Sequence, residues 1–511
     1  MWIPSGCLAL VLSSGLAWTQ DPPPKPEEPA KQETPAKTEA PAKQDAPAKQ
    51  ETPAPAAPEK PAAPTFLIKA KRVIVRPGEV LEQTSILVRD GKIVSLGKDL
   101  AAPKGAQVLE AEVVCAGFLD PWSALCIDTG SWRDGGATPA TRSIDGFDPW
   151  SPENLRLEAL RAGVTSVRIQ AGNFARTGGM GSVVRVAPQL GPAEAVVSPE
   201  TCVSMSVGLS TNAGGGQSVE FVDGQPVLVD TRGRPMDVFD RIADIDRVAS
   251  ALEGGRTYLY SIVEHKHELE DWKKKIAEKE VELEKDAKKA KKDREKEEKD
   301  AKDKGKTFEE KKYKEDKKPQ PPRFDEDNAV MARVADGELP FFVQVHRAAE
   351  LRGLVESTQA YDRLRLVIVG GSEARASASE LASRGIPVLV WPALRGKGSF
   401  DEYEGGDLSL AGDLARAGVT VLLGSGGSDP AASRDLPLLA QLAIGHGLER
   451  EKAFEALTLG AARLLDVADR LGSVERGKDA DLLLLDGDPL DSGTRVQRVI
   501  SAGRLVLNPE D

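Results

Sequence analysis

Two hydrophobic periods take turns along this chain. Phe66–Val75, Ser85–Arg89, Lys92–Leu96 and Val108–Glu110 are short β-rich runs, punctuated by Arg76-Pro77-Gly78 and Asp90-Gly91. An Asp-Gly pair between apolar runs predicts a β-hairpin. From Phe118 to about Leu465, strand-like runs alternate with stretches of helical period. Val164–Ile169 follows a helical stretch at Glu153–Ala162; Phe341–Val345, Leu364–Val369, Ile386–Trp391 and Val419–Leu423 are the later strands. Such alternation predicts an α/β fold with repeated β-α units around a parallel sheet.

Two segments obey neither period. From about Gln20 to Pro64 the chain is mostly Pro, Ala, Lys, Glu and Gln, with Pro-Ala-Lys recurring at Pro29, Pro35, Pro41 and Pro47. Nothing there can build a core, so residues 20–64 are expected to form a disordered, partly polyproline-II spacer, either a tether or an expendable tail. Residues 262–323 interleave acidic and basic side chains. Glu–Lys pairs four apart support a solvated helix, while the apolar positions Trp272, Ile276, Val281 and Leu283 make too short a seam for a coiled coil. The expectation is a protruding helical insertion, with gripping a partner as its functional reading and a plain solvated excursion as the other.

Charge and cysteine usage then limit compartment and partners. The 511-residue chain carries a net charge of −12 and no basic stripe, which argues against nucleic acid as a partner. The short apolar run Cys7–Leu12, followed by Gly15-Leu16-Ala17, reads as a secretory signal over residues 1–19, although no Lys or Arg precedes it. No later run approaches the ~18 apolar residues that span a bilayer. The expected localisation is therefore exported (periplasmic, cell-envelope or extracellular), with no transmembrane span after signal removal. Cys115, Cys126 and Cys202 remain after cleavage, an odd number at wide spacing that fits neither a disulfide framework nor a zinc pattern. Buried apolar thiols are expected.

Several stretches carry a family likeness, Glu455–Leu465 and the run on from Leu485 to Val506 besides the following five. The five are Ile86–Ile93, Val113–Ala124, Ala159–Val167 (Ala-Leu-Arg-Ala-Gly-Val-Thr-Ser-Val), Gly178–Arg185 (Gly-Gly-Met-Gly-Ser-Val-Val-Arg) and Leu471–Leu482 (Leu-Gly-Ser-Val-Glu-Arg-Gly-Lys-Asp-Ala-Asp-Leu). From about Phe66 to Val506, the charged segment excepted, the chain resembles the amidohydrolase superfamily and its imidazolonepropionase-like branch. The resemblance implies a (β/α)8 TIM-like barrel over residues 117–465. It also implies a small β-sandwich built from N- and C-terminal strands, residues 66–116 and 466–507, with the charged helical insertion at 262–323.

The family's chemistry needs one or two divalent metals such as zinc, which lower the pKa of a bound water for attack on a carbonyl or imine carbon. Its first strand usually ends in Asp-x-His-x-His. Here the frame Ala116-Gly117-Phe118-Leu119-Asp120-Pro121 runs into Trp122 and Ala124, neither of which can ligate a metal. Phe342, Gln344 and His346 alternate onto one strand face, and Gln344-Val345-His346-Arg347 resembles the branch's His-x-His-Arg with Gln for the first His. The strand-six position reads Val369-Gly370-Gly371, and the strand-eight region Ser425-Gly426-Gly427-Ser428-Asp429 aligns Gly426 with the family Asp. His265 and His267 lie two apart in a helical context and so face apart.

Candidate catalytic residues are therefore His346, Asp429 and Asp120, the last with bonding the strand end as its other role. Trp122, Gln344, His346, Arg347 and Ser425 are the candidate pocket, and no residue is assigned as a metal ligand. Asp128 and Glu373 join Asp120 and Asp429 as oxygens for a harder cation only if they converge. The glycine turns at Gly178–Gly181, Gly214–Gly216 and Gly424–Gly427 are expected at the barrel mouth. No resident cofactor is expected.

Three readings stay open. One is an exported barrel that has lost its metal and binds a small molecule or a protein, including an intact paralogue or further copies of itself. A second is an active hydrolase of C–N bonds around His346, and a third is a structural envelope protein that uses its tether and arm.

Overall fold

The computed structural model describes residues 64–127, 137–150, 152–171, 176–208, 217–222, 225–230, 238–302, 317–392 and 407–509. The signal stretch, residues 20–63 of the spacer, Asp128, Gly214–Gly216 and residues 303–316 of the charged segment lie outside them.

Strands β1 (Phe66–Arg76), β2 (Glu79–Arg89), β3 (Lys92–Gly97) and β4 (Gln107–Ala116) come first. Then follow β5 (Phe118–Asp120), β6 (Val164–Ile169), β7 (Thr177–Arg185) and β8 (Val196–Ser206), and a hairpin of β9 (Gln217–Val222) and β10 (Gln225–Asp230). Next are β11 (Phe341–Val345), β12 (Leu366–Gly370), β13 (Val388–Val390) and β14 (Val421–Leu423), and last β15 (Leu482–Leu485), β16 (Val496–Ser501) and β17 (Arg504–Leu507). The helices are α1 (Glu153–Arg161), α2 (Pro192–Ala195), α3 (Val238–Lys302), α4 (Glu326–Ala335), α5 (Ala348–Ser357), α6 (Ala378–Ser383), α7 (Leu410–Arg416), α8 (Leu436–Gly445), α9 (Arg450–Leu457) and α10 (Leu459–Leu464).

The first and last described strands meet in one sheet of order β17-β16-β15-β4-β1-β2-β3. β15 pairs antiparallel with β4, Leu482 facing Ala116 and Leu485 facing Val113. Alternate side chains then go to different cores. Val114, Ala116, Leu482 and Leu484 join Phe66, Ile68 and Ile86 in the small domain, while Val113, Cys115, Leu483 and Leu485 join the large core around the barrel. A strand buried on both faces needs an unbroken apolar run, and Leu482–Leu485 and Val113–Ala116 supply it. Burial pushes the Cys126 thiol up to about 12 and raises Cys115 as well.

The second sheet has the order β14-β13-β12-β11-β8-β7-β6-β5, a nearly closed TIM-like barrel. β11 to β14 run parallel, as the sequence pattern predicts. β7 does not: it pairs antiparallel with both β6 and β8. Gly178–Gly181, expected in a loop at the mouth, lies inside that strand. The glycines serve close approach instead of a turn. A Cβ on Gly179 would lie 2.3 Å from the Thr141 carbonyl oxygen, and one on Gly181 would lie 2.6 Å from Arg168 Nε. β7 also ends in Arg185, whose buried guanidinium donates to Asp479 and Asp481 just before β15 and so locks the barrel to the small sheet.

α3 is a single helix of 65 residues, ~100 Å long at 1.5 Å per residue. Its first turns belong to the barrel: Asp244, Val248, Leu252 and Gly255 are buried at helical spacing. Gly255 lets α4 cross at contact, since a Cβ there would lie 2.3 Å from the Met331 carbonyl carbon. The charged remainder carries exposed Tyr260, Val263 and Val281. Among the described residues no helix is long and apolar enough to cross a membrane.

Candidate functional site

At the C-terminal end of β5, Asp120 is fully buried and all its visible bonding goes into closing the barrel. Its Oδ1 accepts from the Trp122 backbone N–H at 3.2 Å and from that of Ser425 at 3.1 Å, and its Oδ2 accepts from Ser433 Oγ at 2.8 Å. Ser425 Oγ donates to the Trp122 carbonyl at 3.1 Å, and Ser123 Oγ lies 2.7 Å from Ser433 Oγ. β5 and β14 have no ladder between them, so this knot joins the first and last barrel strands. Burial raises the Asp120 pKa above the usual carboxylate range, against the hydrogen bonds from Ser425, Ser433 and Trp122 that pull it down.

Beyond Asp120 the barrel interior is plugged. Trp122 stacks on Phe342 of β11, with ring centroids 6.3 Å apart and planes within 8°. The guanidinium of Arg168, on the inward face of β6, lies against both rings, its Cζ 4.5 Å from the Trp122 centroid and 4.8 Å from that of Phe342. Arg168 reaches there by crossing β7 over Gly181: its Nε donates to Cys202 Sγ on β8 at 2.9 Å, and its Nη2 bonds the Gln170 side-chain oxygen. A side chain at position 181 would block that path. Cation–π contact of this kind contributes about 2 kcal/mol or more when desolvated.

His346 follows the last residue of β11 and is 3% exposed. Its Nδ1 lies 2.9 Å from Ser372 Oγ and its Nε2 3.3 Å from Gln344 Nε2, and Trp391 meets the ring edge-on at 5.8 Å. The ring fills the space over Gly370 at the end of β12, where a Cβ would lie 2.3 Å from His346 Cε1. The structure thus brings Trp122, Ser425 and Asp120 into one group and Gln344, His346 and Ser372 into another, with Phe342 and Arg168 between them in the interior.

Other predicted residues do local work. Asp429 is exposed and caps the 3-10 turn Pro430–Asp435 by accepting from the Ala431 N–H at 2.9 Å. Glu373 accepts from the Ala348 N–H at 2.8 Å, and half-buried Arg347 takes the N-cap position of α5. His265 and His267 lie on α3. A cleft of about 690 Å³ opens at the opposite end of the barrel, at the start of β12 to β14. That end of a barrel usually serves stability. Two of its cations are already paired, Arg365 with Asp466 and Arg463 with Glu455.

The model of the amidohydrolase family matches residues 402–506, the segment that carries β14 to β17 and excludes Trp122 and His346. A solved amidohydrolase from Thermotoga maritima MSB8 is 23% identical with a TM-score of 0.62, covering 87% of this chain and 100% of its own. The C-terminal segment is thus of the amidohydrolase family, and the fold of the chain is that of the solved amidohydrolase. An adenosine deaminase from Xanthomonas campestris (16% identity, TM-score 0.44, 88% of this chain and 94% of that one) and an A. niger ochratoxinase (17%, 0.46, 88% and 96%) are more distant. No curated protein matches.

The superfamily's divalent metal does not fit the side chains present. Buried Trp122 and Ala124 stand where the resemblance puts the first-strand histidines, Asp120 is engaged by three donors, and Gly370 leaves strand six without a ligand. Among the described residues no three His, Cys, Asp or Glu side chains converge as a metal site. Sequence reasoning missed Arg168 and Ser372. A charge at an inward position of the strand Val164–Ile169 was the available signal for the first, and Gly-Gly-Ser at the end of β12 for the second.

Proposed function

We propose that this chain is an exported amidohydrolase-superfamily protein that works by binding a ligand or partner and not as a metal-dependent hydrolase of C–N bonds. The observation that carries the reading is the Trp122–Arg168–Phe342 plug. It puts a fixed positive charge beside the position where the family's first metal sits, and like charges at close range in a low-dielectric interior repel strongly. Aromatic rings and a guanidinium also suit recognition better than Lewis-acid chemistry.

The test is metal content by plasma mass spectrometry on the full chain purified without a His-tag, beside a hydrolysis screen on dipeptides and cyclic amides. Substoichiometric metal and no turnover are expected. Stoichiometric zinc, iron or manganese that disappears in His346→Ala, with turnover, overturns the reading. Export is checked separately: the mature protein should begin near residue 20, and an intact Met1 peptide on the secreted or membrane-bound chain removes that part of the proposal.

One observation favours a second reading. Ser372 Oγ and His346 Nδ1 are at nucleophile–base distance at the end of a barrel strand. Turning the Gln344 amide over lets its oxygen accept from Nε2–H, which leaves Nδ1 to take the Ser372 proton. A metal-independent acyl hydrolase would follow. A fluorophosphonate probe should label Ser372 and fail to label it in His346→Ala if this reading holds; absence of labelling in the native chain removes it.

A further inference from the structure

A guanidinium buried in a barrel needs a counter-charge, and this protein shows what it ordinarily supplies. Arg185 is 2% exposed and meets two carboxylates, Asp479 and Asp481. Arg168, on the neighbouring strand, is 0% exposed, and among the described residues no carboxylate pairs with it. Its Nε and Nη2 are held on the β7–β8 side by Cys202 and Gln170, while Nη1 has no partner among the described residues. Trp122 Nε1, on the ring that the guanidinium touches, is also without one. Each unmade bond of a buried polar group is costly, and an unmade bond on a charged group more so. Two such donors on adjoining side chains form a local deficit of negative charge and acceptors.

We infer that Arg168 and Trp122 form the floor of a binding site for a small monovalent carboxylate. One oxygen takes Arg168 Nη1–H and the other Trp122 Nε1–H. The Trp122 and Phe342 rings flank the guanidinium and suit a flat group. A single cation matches one negative charge and not two, which favours a monovalent carboxylate over a phosphate dianion. The inference rests on the binding-protein reading and names its ligand class. The covalent chemistry of the family plays no part in it.

The experiment is equilibrium dialysis of the full chain against radiolabelled acetate at constant ionic strength, in buffer free of other carboxylates. Thermal melts are run alongside, with sodium chloride and sodium phosphate as parallel probes. One saturable acetate site is expected, with affinity at least tenfold weaker in Arg168→Gln and in Trp122→Phe. The melting temperature should rise with acetate in the native chain and not in Arg168→Gln. Trp122→Phe keeps an aromatic ring against the guanidinium while removing the N–H along with the pyrrole ring, so it serves if Arg168→Gln fails to fold.

Unchanged acetate affinity in Trp122→Phe overturns the site. No saturable acetate binding by the native chain, whether the atoms hold water or chloride, overturns the ligand class. Metal content is measured on the same preparation. A metal-free chain that ignores acetate sinks the ligand class and leaves the binding-protein reading, whereas a metal-loaded, hydrolytic chain sinks that reading whatever acetate does.

Discussion

Arg185 and Arg168 occupy neighbouring strands of one sheet, both buried, and their surroundings could hardly differ more. Arg185 Nε donates to Asp481 Oδ1 at 3.0 Å, Nη2 to Asp479 Oδ2 at 2.6 Å and to Asp481 Oδ2 at 3.0 Å, and Nη1 to the Glu194 carbonyl at 2.8 Å. Asp479 also meets Lys92 and Arg470, and Asp481 accepts from Ser501 Oγ at 2.8 Å. Burial pushes the Asp479 carboxyl up, yet the Lys92 hydrogen bond and the charges of Arg185 and Arg470 outweigh it and hold the pKa below the usual range. Arg168 has rings, a thiol and an amide instead. The difference separates a joint from a site: where the fold needs a charge it brings both signs, and where one sign is missing a ligand is the economical completion.

The sharpest break of this contrast is a pair of substitutions read by chemical denaturation. Arg185→Met leaves buried Asp481 without its cationic partner, while Asp479 keeps Lys92 and Arg470, and should cost roughly 3–5 kcal/mol. Arg168→Met, in buffer free of carboxylates, should cost much less, because relief of the desolvation penalty of an uncompensated buried charge offsets the lost cation–π contact. Equal losses would erase the distinction between joint and site.

Asp120→Ala comes next. It leaves the Trp122 and Ser425 N–H groups and the Ser433 hydroxyl without their acceptor, for an expected loss of roughly 2–4 kcal/mol. Asp120→Asn keeps an acceptor for the two N–H groups and should cost less than about 1 kcal/mol in the same assay.

Gly181→Ala tests the path of Arg168. Its Cβ would lie 2.6 Å from Arg168 Nε and 2.8 Å from Cys202 Sγ. Overpacking of that kind costs about 1–3 kcal/mol, and a solved structure of the variant should show the guanidinium withdrawn from the two rings.

The smallest effects are in the pH dependence of stability. The lowered pKa of Asp479 contributes stability that is present above the unfolded value of ~4 and lost as pH falls through the folded value. Asp120 runs the other way: its raised pKa contributes stability that is complete below ~4 and lost as pH rises through its folded value. Asp479→Asn should flatten the acid limb of the stability curve and Asp120→Asn the limb above it, as urea midpoints across pH would report.

Several local stretches were legible because their meaning is local. Leu482–Leu485 is apolar without interruption, as a strand buried on both faces requires, and Leu471–Leu482 carried the superfamily likeness. That Trp122 and Ala124 stand where the resemblance puts the first-strand histidines was visible without coordinates. Asp429 could have been read as a cap, since Asp-Pro-Ala-Ala is a helix-start pattern. Gly178–Gly181 misled because a glycine run signals a turn unless one knows what lies beside it. Here that neighbour is the Arg168 side chain, which no sequence window contains. Asp120 was recognisable as a strand-end carboxylate, but not that Ser425 and Ser433, about three hundred residues away, engage it.

The sequence by itself determined the barrel and its companion sheet, and the loss of the usual ligands on the first strand, because hydrophobic period and residue chemistry are properties of short stretches. It did not determine that β7 runs antiparallel, that Asp120 closes the barrel between β5 and β14, or that Arg168 is pressed on Trp122 and Phe342. Those depend on which strands become neighbours and on how closely their backbones approach. Only the folded chain decides that, by bringing distant segments within hydrogen-bonding and van der Waals range.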